Sequence, residues 1–321
     1  MKVKDKVYGF WEIKEEVLID LINSKFIQRL KGVSQFGLPS EYYHKKGFSR
    51  YEHSIGVLIL LKKLGANLKE QISGLLHDGS HTAFSHVVDW VLGDPTKEDY
   101  QDKTHLELLT NSKVPQILSK YGFDYKEVSD IERFFLLERK APDLCADRID
   151  YSLREFRTEG KDVGDLVKNL DTKDNEIVFK TFKSADFFGR EYSRLQEEHW
   201  AGSEARARYY FLANILKEAM NKRIISVEDL VGGEDYPLIE LIKSKDLVLS
   251  EKLGFLKNGF GIKEVEKGGI VLEKKFRYVD PKVLINGKAK KLSQLSLNYK
   301  LLLKEQKENS KIIKRILIKK K

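Results

Sequence analysis

An adjacent histidine and aspartate, His77 and Asp78, stand at the end of an apolar stretch, and a further histidine, His53, precedes them by 24 residues. Imidazole nitrogen and carboxylate oxygen are the side-chain ligands that hold divalent metals of intermediate hardness in proteins. A metal ion held by such residues can make a nucleophile from water near neutral pH. The residue types and their spacing therefore indicate a metal-dependent hydrolase.

Two apolar helices are predicted to position these side chains. His53 falls in a helix expected to begin near Arg50, and apolar residues surround most of that helix, so we expect His53 to be buried. His77 and Asp78 end a second apolar helix, and Gly79 after them is a typical helix stop. Adjacent residues of a helix point about 100° apart, so both can reach one ion only from a helix end or a bend.

Asp147 is the candidate for a fourth ligand, and its segment, residues 141–151, also holds Asp143 and Asp150. We expect Asp147 near the middle of a helix that begins at Pro142, because proline is common at the first helical position. Two imidazoles and two carboxylates leave two octahedral positions open for water and substrate. This favours one divalent ion of Mn, Fe, Co, Ni or Mg over a closed structural zinc site, with Zn and a second ion kept as alternatives.

Each part of this pattern taken alone has an ordinary structural explanation. A histidine in an apolar helix is usually a hydrogen-bonded core residue, and a His-Asp pair at a helix end is usually a cap or a surface pair. Against this, five of the seven histidines lie between His53 and His105, among them His81 and His86. Such a concentration favours a functional site.

Composition and charge narrow the class of protein. The chain has 321 residues, of which 41% are hydrophobic and 33% charged, and its formal net charge is +9. This excess suits anionic partners such as nucleotides and does not require nucleic acid. The single cysteine, Cys145, excludes an intrachain disulfide. Because no apolar stretch approaches the ~20 residues of a membrane span and no signal peptide is found, we expect a soluble cytoplasmic protein without membrane partners.

Hydrophobic periodicity predicts a mainly α fold, in which a helical region of residues 1–230 precedes a smaller α+β region of residues 231–321. Helices are predicted near 14–23, 24–32, 50–64, 68–78, 84–92, 104–112, 127–137, 144–157, within 184–221, and near 236–245, 248–256 and 295–306. Strands are predicted near 175–180, over 269–279, over 282–289 with a turn at Asn286-Gly287, and over 311–318 as an edge strand whose lysines prevent further pairing.

The motifs resemble those of the HD-domain phosphohydrolase superfamily, whose pattern H…HD…D is matched by His53, His77, Asp78 and Asp147. The likeness is greatest to the branch that contains deoxynucleoside triphosphate triphosphohydrolases, and it covers about residues 25–155. It is carried by five stretches, Gln28-Arg-Leu30 with Ser34-Gln-Phe-Gly37, Arg50–Val57, His77–His86, Thr104–Glu107 and Asp147–Tyr151. The resemblance implies an all-helical HD-domain core.

The resemblance also implies catalytic roles. His81 is the candidate general acid, and Asp89 and His105 would complete its proton relay, whereas His86 is interpreted as a structural residue. The same likeness places Gln35 against the sugar or base of a nucleotide. One departure stands out, because the branch has glycine where this chain has Ser80, directly before His81, and the glycine lies one place earlier.

Phosphate oxygens require fixed cations and hydroxyls. Arg50 lies one turn before His53 on the same helix face, and Arg148 and Tyr151 flank Asp147, so these three are predicted substrate contacts. For Arg148 a surface ion pair is an equally good explanation. The stretch from Glu198 to Tyr210 holds basic and aromatic residues at helical spacing, which is more often a core face than a nucleotide site.

The favoured function is metal-dependent hydrolysis of a phosphoester or phosphoanhydride of a nucleotide, with a (deoxy)nucleoside triphosphate as the leading substrate. The alternatives are a catalytically weak regulator that binds nucleic acid or a nucleotide effector, suggested by the basic C-terminal tail, and a phosphodiesterase or phosphomonoesterase acting on another substrate. By resemblance, a homo-oligomer and a nucleotide effector site are also expected.

Overall fold

The computed structural model describes residues 1–272, 276–312 and 314–320. The helices are α1 Glu16–Ile22, α2 Lys25–Gln28, α3 Arg50–Lys63, α4 Leu68–Leu76, α5 Val87–Val91, α6 Tyr100–Thr110, α7 Val114–Lys120, α8 Tyr125–Ser129, α9 Ala146–Thr158, α10 Gly164–Asn169, α11 Phe182–Leu195, α12 Ser203–Asn221, α13 Val227–Gly232, α14 Asp235–Lys245, α15 Leu247–Asn258, α16 Leu292–Leu295 and α17 Leu297–Asn309. The strands are β1 Lys2–Asp5, β2 Gly9–Glu12, β3 Leu170–Lys173, β4 Glu176–Phe179, β5 Phe260–Glu264, β6 Ile270–Leu272, β7 Lys282–Ile285, β8 Lys288–Lys291 and β9 Lys314–Lys320.

Helix α3 forms the centre of the fold and packs against α4 and α9. Ser49 and Glu52 close its N-terminus as a reciprocal capping box. Every residue of α3 from His53 to Leu61 is buried, which is why its sequence is apolar on nearly all sides. The mainly α architecture predicted from periodicity is therefore confirmed, and a single central helix carries the first histidine of the motif.

Glycine allows α3 and α9 to approach closely at one point. A Cβ atom at Gly56 would lie 1.9 Å from Nη2 of Arg154 and 2.1 Å from Oδ1 of Asp150. These two buried α9 side chains are paired, with Arg154 Nε 2.7 Å from Asp150 Oδ2, and Arg154 also binds Asp5 at 2.7 Å. The absent side chain therefore makes room for a buried ion pair between the helices.

Replacement of Gly56 by alanine should force α3 and α9 apart. We expect Gly56→Ala to lower the free energy of unfolding by roughly 1–3 kcal/mol, as overpacked cores do, and to weaken metal binding through Asp150. Urea unfolding and metal titration measure both effects. The matched control is Gly254→Ala in α15, where an added Cβ meets nothing within 4 Å; it should be neutral or stabilising by up to about 1 kcal/mol. Equal stabilities of the two variants would contradict this packing account.

The second half of the chain adds two small sheets. One has the order β3-β4-β7-β8, in which β4 and β7 are parallel, and the other has the order β5-β9-β6. The turn at Asn286-Gly287 is confirmed, with φ of 49° and 75°. Since β4 precedes residue 230 and β7 follows it, hydrogen bonds cross the predicted boundary, and the division into 1–230 and 231–321 stays a prediction.

Several predicted elements differ from the structure. The C-terminal strand is not an edge strand, because β9 pairs on both sides, with β5 and β6. The strand predicted over 269–279 is present only as β6, and its residues 273–275 lie outside the described part of the chain. The helix predicted over 127–137 ends at Ser129, because the backbone N–H groups of Leu136 and Leu137 donate to a carboxylate oxygen of Glu70 instead of continuing a helix.

The helix that holds Asp147 begins later than predicted, at Ala146, and Cys145 is its N-cap. Asp147 therefore lies in the first turn of α9 and not in the middle of a longer helix begun by Pro142. The carbonyl oxygen of Asp143 accepts a hydrogen bond from Arg148 at 2.6 Å, which holds the preceding segment as a turn. Within the described residues, no helix is both long and apolar enough to cross a membrane.

Candidate metal centre and substrate pocket

The four predicted ligands lie together between α3, the end of α4 and the start of α9. His53 Nε2 is 2.9 Å from Asp147 Oδ1, and His77 Nε2 is 3.3 Å from His53 Nε2 and 3.6 Å from Asp147 Oδ1. Asp78 Oδ1 is 3.5 Å from His77 Nε2. The donor atoms of His53, His77 and Asp147 all lie within 4.8 Å of one another. The structure thus groups both imidazoles with Asp147, and Asp78 lies beside them.

The outer nitrogens of the two histidines show that this cluster fits a cation. His53 Nδ1 lies 2.7 Å from Asp150 Oδ2, and His77 Nδ1 lies 2.7 Å from the carbonyl oxygen of Gly74. Each acceptor fixes a hydrogen on Nδ1, so the lone pairs of both Nε2 atoms point at each other. Two lone pairs 3.3 Å apart repel unless a proton or a metal ion lies between them.

The electrostatics of the cluster agree with this arrangement. Burial lowers the pKa of His53, but hydrogen bonds to Asp147 and Asp150 outweigh it and raise that pKa to about 9. Burial raises the pKa of Asp147, but hydrogen bonds from His53 and His77 bring it far below its usual range. The pKa of Asp78 is also lowered well below normal, against burial, by Arg50 and His77. Both carboxylates are therefore ionised ligands at neutral pH.

Arg50, a predicted substrate contact, is held by protein groups at the edge of this cluster. Its Nη1 binds Asp78 Oδ2 at 2.8 Å, its Nε donates to Ser85 Oγ at 2.9 Å, and its Nη2 donates to the Gln35 carbonyl oxygen at 3.3 Å. The guanidinium is buried and still lines the pocket described below. Arg50 therefore orients the second oxygen of Asp78, and a contact with substrate stays a prediction.

The predicted proton relay is not assembled around His81. His81 Nε2 lies 3.3 Å from Asp78 Oδ1 and is enclosed, and burial together with Arg50 lowers its pKa well below the usual value. Asp89 instead faces His86, with 3.7 Å between Asp89 Oδ2 and His86 Nδ1. His105 Nδ1 lies 2.8 Å from Ser80 Oγ. Neither Asp89 nor His105 has a hydrogen bond to His81 among the described contacts, and the general-acid role of His81 stays a prediction.

The exchanged order of Gly79 and Ser80 has a structural explanation. A Cβ at Gly79 would lie 1.9 Å from the ring of Phe26, so packing admits only glycine there. Ser80 is fully buried, and its hydroxyl binds His105 and accepts a hydrogen bond from Gln101 at 3.1 Å. The departure from the family pattern thus adds a hydroxyl that fixes the imidazole of His105.

Arg148 is directed toward the turn before α9. Its guanidinium donates to the carbonyl oxygens of Asp143 at 2.6 Å and Arg139 at 3.0 Å, and it lies 3.2 Å from Cys145 Sγ and 3.4 Å from Glu138. A second cluster of metal-ligand types, Glu138 and Cys145 beside Asp147, surrounds this guanidinium. Arg148 therefore already supplies the positive charge that a second ion would bring, and its predicted phosphate contact stays a prediction.

A pocket of about 90 Å³ opens beside the cluster. Its lining residues are Gln35, Phe36, Tyr43, Arg50, His86, Glu98, Tyr151, Trp200, Tyr209 and Arg277. Tyr151 joins the pocket to the cluster, because its ring centroid is 6.3 Å from that of His53 and 5.3 Å from that of Trp200. The side-chain oxygen of Gln35 is buried without a hydrogen-bond partner among the described residues. Gln35, Arg50 and Tyr151 thus line the pocket, and their contact with a substrate stays a prediction.

The aromatic part of this pocket is supported by a buried polar pair. Tyr43 OH lies 2.9 Å from His199 Nε2, and His199 Nδ1 binds Glu155, which also accepts a hydrogen bond from Trp200 Nε1 at 2.8 Å. These contacts fall on a π-helical turn, Gln196–Trp200, between α11 and α12. Such turns are frequent at functional sites. The long helix predicted within 184–221 is therefore interrupted where it meets the pocket.

Sequence reasoning missed several pocket residues. Trp200 and Tyr209 belong to the stretch from Glu198 to Tyr210. Its basic and aromatic residues at helical spacing could have indicated a ligand site, but they were interpreted as a core face. His86 was assigned a structural role, yet it is partly exposed in the pocket and backed by Asp89. Arg277 comes from the C-terminal region, and no local pattern marks it.

The loop before His86 has an unusual backbone. Phe84 and Ser85 have φ of 61° and 43°, in the left-handed region that disfavours their side chains. The buried carboxylate of Asp235 holds this loop by accepting hydrogen bonds from the N–H groups of Phe84 and Ser34, each at 2.8 Å. Strained backbone of this kind is maintained where it positions a side chain, and here that side chain is His86.

Comparison with known proteins agrees with the site. The HD domain profile matches residues 50–176. The Bacillus subtilis protein YdhJ is 36% identical over 302 residues, which cover 92% of each chain. The metal-dependent phosphohydrolase cns2 of Cordyceps militaris is 33% identical over 239 residues, which cover 71% of this chain and 68% of that protein. A Dictyostelium discoideum homologue of the deoxynucleoside triphosphate triphosphohydrolase SAMHD1 is 24% identical, with coverage of 80% and 57%.

The fold is shared with a phosphohydrolase from Bacteroides thetaiotaomicron, whose crystal structure matches with a TM-score of 0.71 over 100% of both chains at 19% identity. The chain belongs to the HD-domain phosphohydrolase superfamily. Its cofactor is accordingly a divalent metal ion, and the cluster of His53, His77 and Asp147 has the donor set for one.

Proposed function

We propose that this chain hydrolyses a phosphoester or phosphoanhydride bond of a nucleotide, with a (deoxy)nucleoside triphosphate as the leading substrate. The observation that carries the proposal is the pocket beside the ligand cluster, whose wall combines cationic groups with aromatic rings. The SAMHD1 homologue, named for deoxynucleoside triphosphate hydrolysis, supports the same substrate class at 24% identity.

The chemical character of the pocket suits a nucleotide. Phe36, Tyr43 and Tyr209 lie in a row of neighbouring aromatic rings, with centroid distances of 5.6 Å and 6.5 Å, on which a base can stack. Arg50 and Arg277 supply positive charge for phosphate oxygens.

We assign the metal ligands as His53, His77, Asp78 and Asp147. When bound, a divalent ion supplies Lewis acidity and acidifies a coordinated water. Arg50 donates to Oδ2 of Asp78 at 2.8 Å, and the same oxygen lies 3.7 Å from His53 Nε2, so Arg50 fixes the orientation of that carboxylate beside the imidazole. Asp150 keeps His53 in the tautomer that offers Nε2, at 2.7 Å.

We assign proton donation to the leaving oxygen to His86 in place of His81. His86 lines the pocket, whereas His81 is enclosed behind Asp78. Asp89 lies behind His86, with 3.7 Å between Asp89 Oδ2 and His86 Nδ1, close enough for its carboxylate to stabilise a protonated ring electrostatically. Gln35 and Tyr151 contact the nucleoside. A homo-oligomer with a nucleotide effector remains a prediction from the resemblance.

A nucleotide panel with products separated by chromatography tests this function. With Mn²⁺, Fe²⁺, Co²⁺, Ni²⁺ or Mg²⁺ supplied, we expect hydrolysis of at least one nucleotide, and the product identifies the bond. Release of inorganic triphosphate with a nucleoside means attack at the α-phosphorus. Release of inorganic phosphate means attack at a terminal phosphate or at a monoester. Hydrolysis of non-nucleotide phosphoesters alone, or of no substrate with any metal, would contradict the proposal.

A further inference from the structure

Arg277 enters the substrate pocket from outside the segment that carries the metal ligands. It belongs to the C-terminal region, in the residues 276–281 that precede β7, and it lines the pocket together with His86 and Glu98. Its side chain is 27% exposed, which leaves it in reach of a bound molecule. The C-terminal region therefore contributes a cation directly to the site.

The other arginines beside the site have their donors committed to protein groups. The three guanidinium nitrogens of Arg50 donate hydrogen bonds to Asp78, Ser85 and the Gln35 carbonyl oxygen. Arg148 donates to two carbonyl oxygens and contacts Glu138. Arg277, by contrast, has one side-chain partner among the described contacts, the carboxylate of Glu98, which its Nη2 meets in a close ion pair. Unlike Arg50 and Arg148, Arg277 therefore has N–H donors that bind no other side chain among the described contacts.

Glu98 can release Arg277 without becoming an unpaired buried charge. Its other oxygen binds Nη1 of Arg206 at 2.9 Å, and both Glu98 and Arg206 are buried. Arg206 has two further nitrogens, Nε and Nη2, with no hydrogen-bond partner among the described residues. Two guanidinium groups thus share one carboxylate, and the excess positive charge lies at the pocket wall, where an anionic ligand would balance it.

We propose that Arg277 is the phosphate-binding residue of the pocket and that Glu98 holds it until a phosphate takes its place. This inference rests on the proposed nucleotide function, because it needs an anionic ligand in this pocket. Phosphate binding by Arg277 would make the C-terminal region part of the substrate site, and Glu98 would then compete with the ligand for the same guanidinium.

Ligand binding by the full chain tests this exchange in isolation from catalysis. Titration calorimetry without added divalent metal compares dATP, dAMP and deoxyadenosine, which share base and sugar and differ in phosphate. We expect Arg277→Gln to weaken dATP binding about 10- to 100-fold and to change deoxyadenosine binding by less than about threefold. Arg277→Lys should restore part of the loss. Arg133→Gln, an exposed arginine on the 3₁₀ turn after α8, serves as the control without effect.

The variant Glu98→Gln distinguishes two roles of the Glu98–Arg277 ion pair. In one, Glu98 gives way to a phosphate at Arg277; in the other, the pair only stabilises the fold. Its amide oxygen can still accept the hydrogen bond of Arg206, but it no longer competes for Arg277 as a charge. We therefore expect dATP to bind about 3- to 10-fold more tightly to Glu98→Gln, while Arg277→Gln weakens it. Thermal unfolding confirms that both variants are folded. Equal losses in both variants, or equal losses for dATP and deoxyadenosine, would overturn the proposal.

These outcomes are distinguishable from failure of the proposed function. If the wild-type chain binds dATP through Arg277 but hydrolyses no nucleotide, then the function is wrong and the phosphate site stands. If the chain hydrolyses nucleotides and Arg277→Gln changes neither dATP binding nor KM, then the phosphate site is wrong and the function stands.

Discussion

Asp147→Ala is expected to lose bound metal and to lower turnover by about three orders of magnitude or more. Asp147 Oδ1 forms a triangle with the two Nε2 atoms, 2.9 Å from His53 and 3.6 Å from His77, so the substitution removes one of the three grouped donor atoms. A metal ion contributes several kcal/mol of transition-state stabilisation, and a thousandfold loss of rate corresponds to about 4 kcal/mol. Metal analysis of the purified variant and kcat on the best substrate of the nucleotide panel provide the measurements.

Two companion variants make this result interpretable. Asp147→Asn keeps the shape of the side chain and should lose metal and turnover as well, which separates the ligand charge from packing. Asp165→Ala removes an aspartate whose side chain is 86% exposed, and it should keep both metal and activity. If Asp147→Ala retains full turnover with a folded chain, the ligand assignment is wrong.

His86→Gln is expected to lower kcat by about 10²- to 10⁴-fold while the metal content stays unchanged. A positioned general acid contributes about this factor, and His86 contacts none of the assigned ligands among the described residues. Steady-state kinetics, with metal analysis of the same sample, provide the measurement.

A substrate that needs no protonation of its leaving group sharpens this test. With a p-nitrophenyl ester, the departing phenolate is stable, so His86→Gln should recover most of the lost rate. His81→Gln is the comparison, because His81 contacts Asp78 at 3.3 Å and its replacement should disturb metal binding for every substrate. A larger, leaving-group-dependent loss in His81→Gln than in His86→Gln would return the acid role to His81.

The residues of the metal centre were predictable because each lies on a helix, or at a helix end, that its own neighbouring sequence predicts. Helix periodicity buries His53 on a central helix, and a helix end lets the adjacent His77 and Asp78 reach one point. Asp147 required only a further helix with a carboxylate near its start. The structure corrected where that helix begins, since the position depends on hydrogen bonds of Arg148 to the preceding turn.

The substrate side of the site was less predictable because its contacts are distant in sequence. The loop before His86 is set by Asp235, 151 residues later, and its left-handed backbone turns His86 toward Asp89 and the pocket. Arg277 meets Glu98 across 179 residues. The C-terminal strand looked like an edge because alternating lysines and isoleucines suit an edge, but pairing on both sides is a property of the whole sheet.

The central claim is that one divalent ion, held by His53, His77, Asp78 and Asp147, is required for nucleotide hydrolysis. Its most direct test is a titration of chelator-stripped protein with metal, in which bound ion and hydrolysis are measured on the same samples. We expect turnover to rise in proportion to bound metal and to saturate at about one ion per chain in the wild type, with neither binding nor turnover in Asp147→Ala. Full hydrolysis by stripped protein, or metal-restored hydrolysis in Asp147→Ala, would contradict this account.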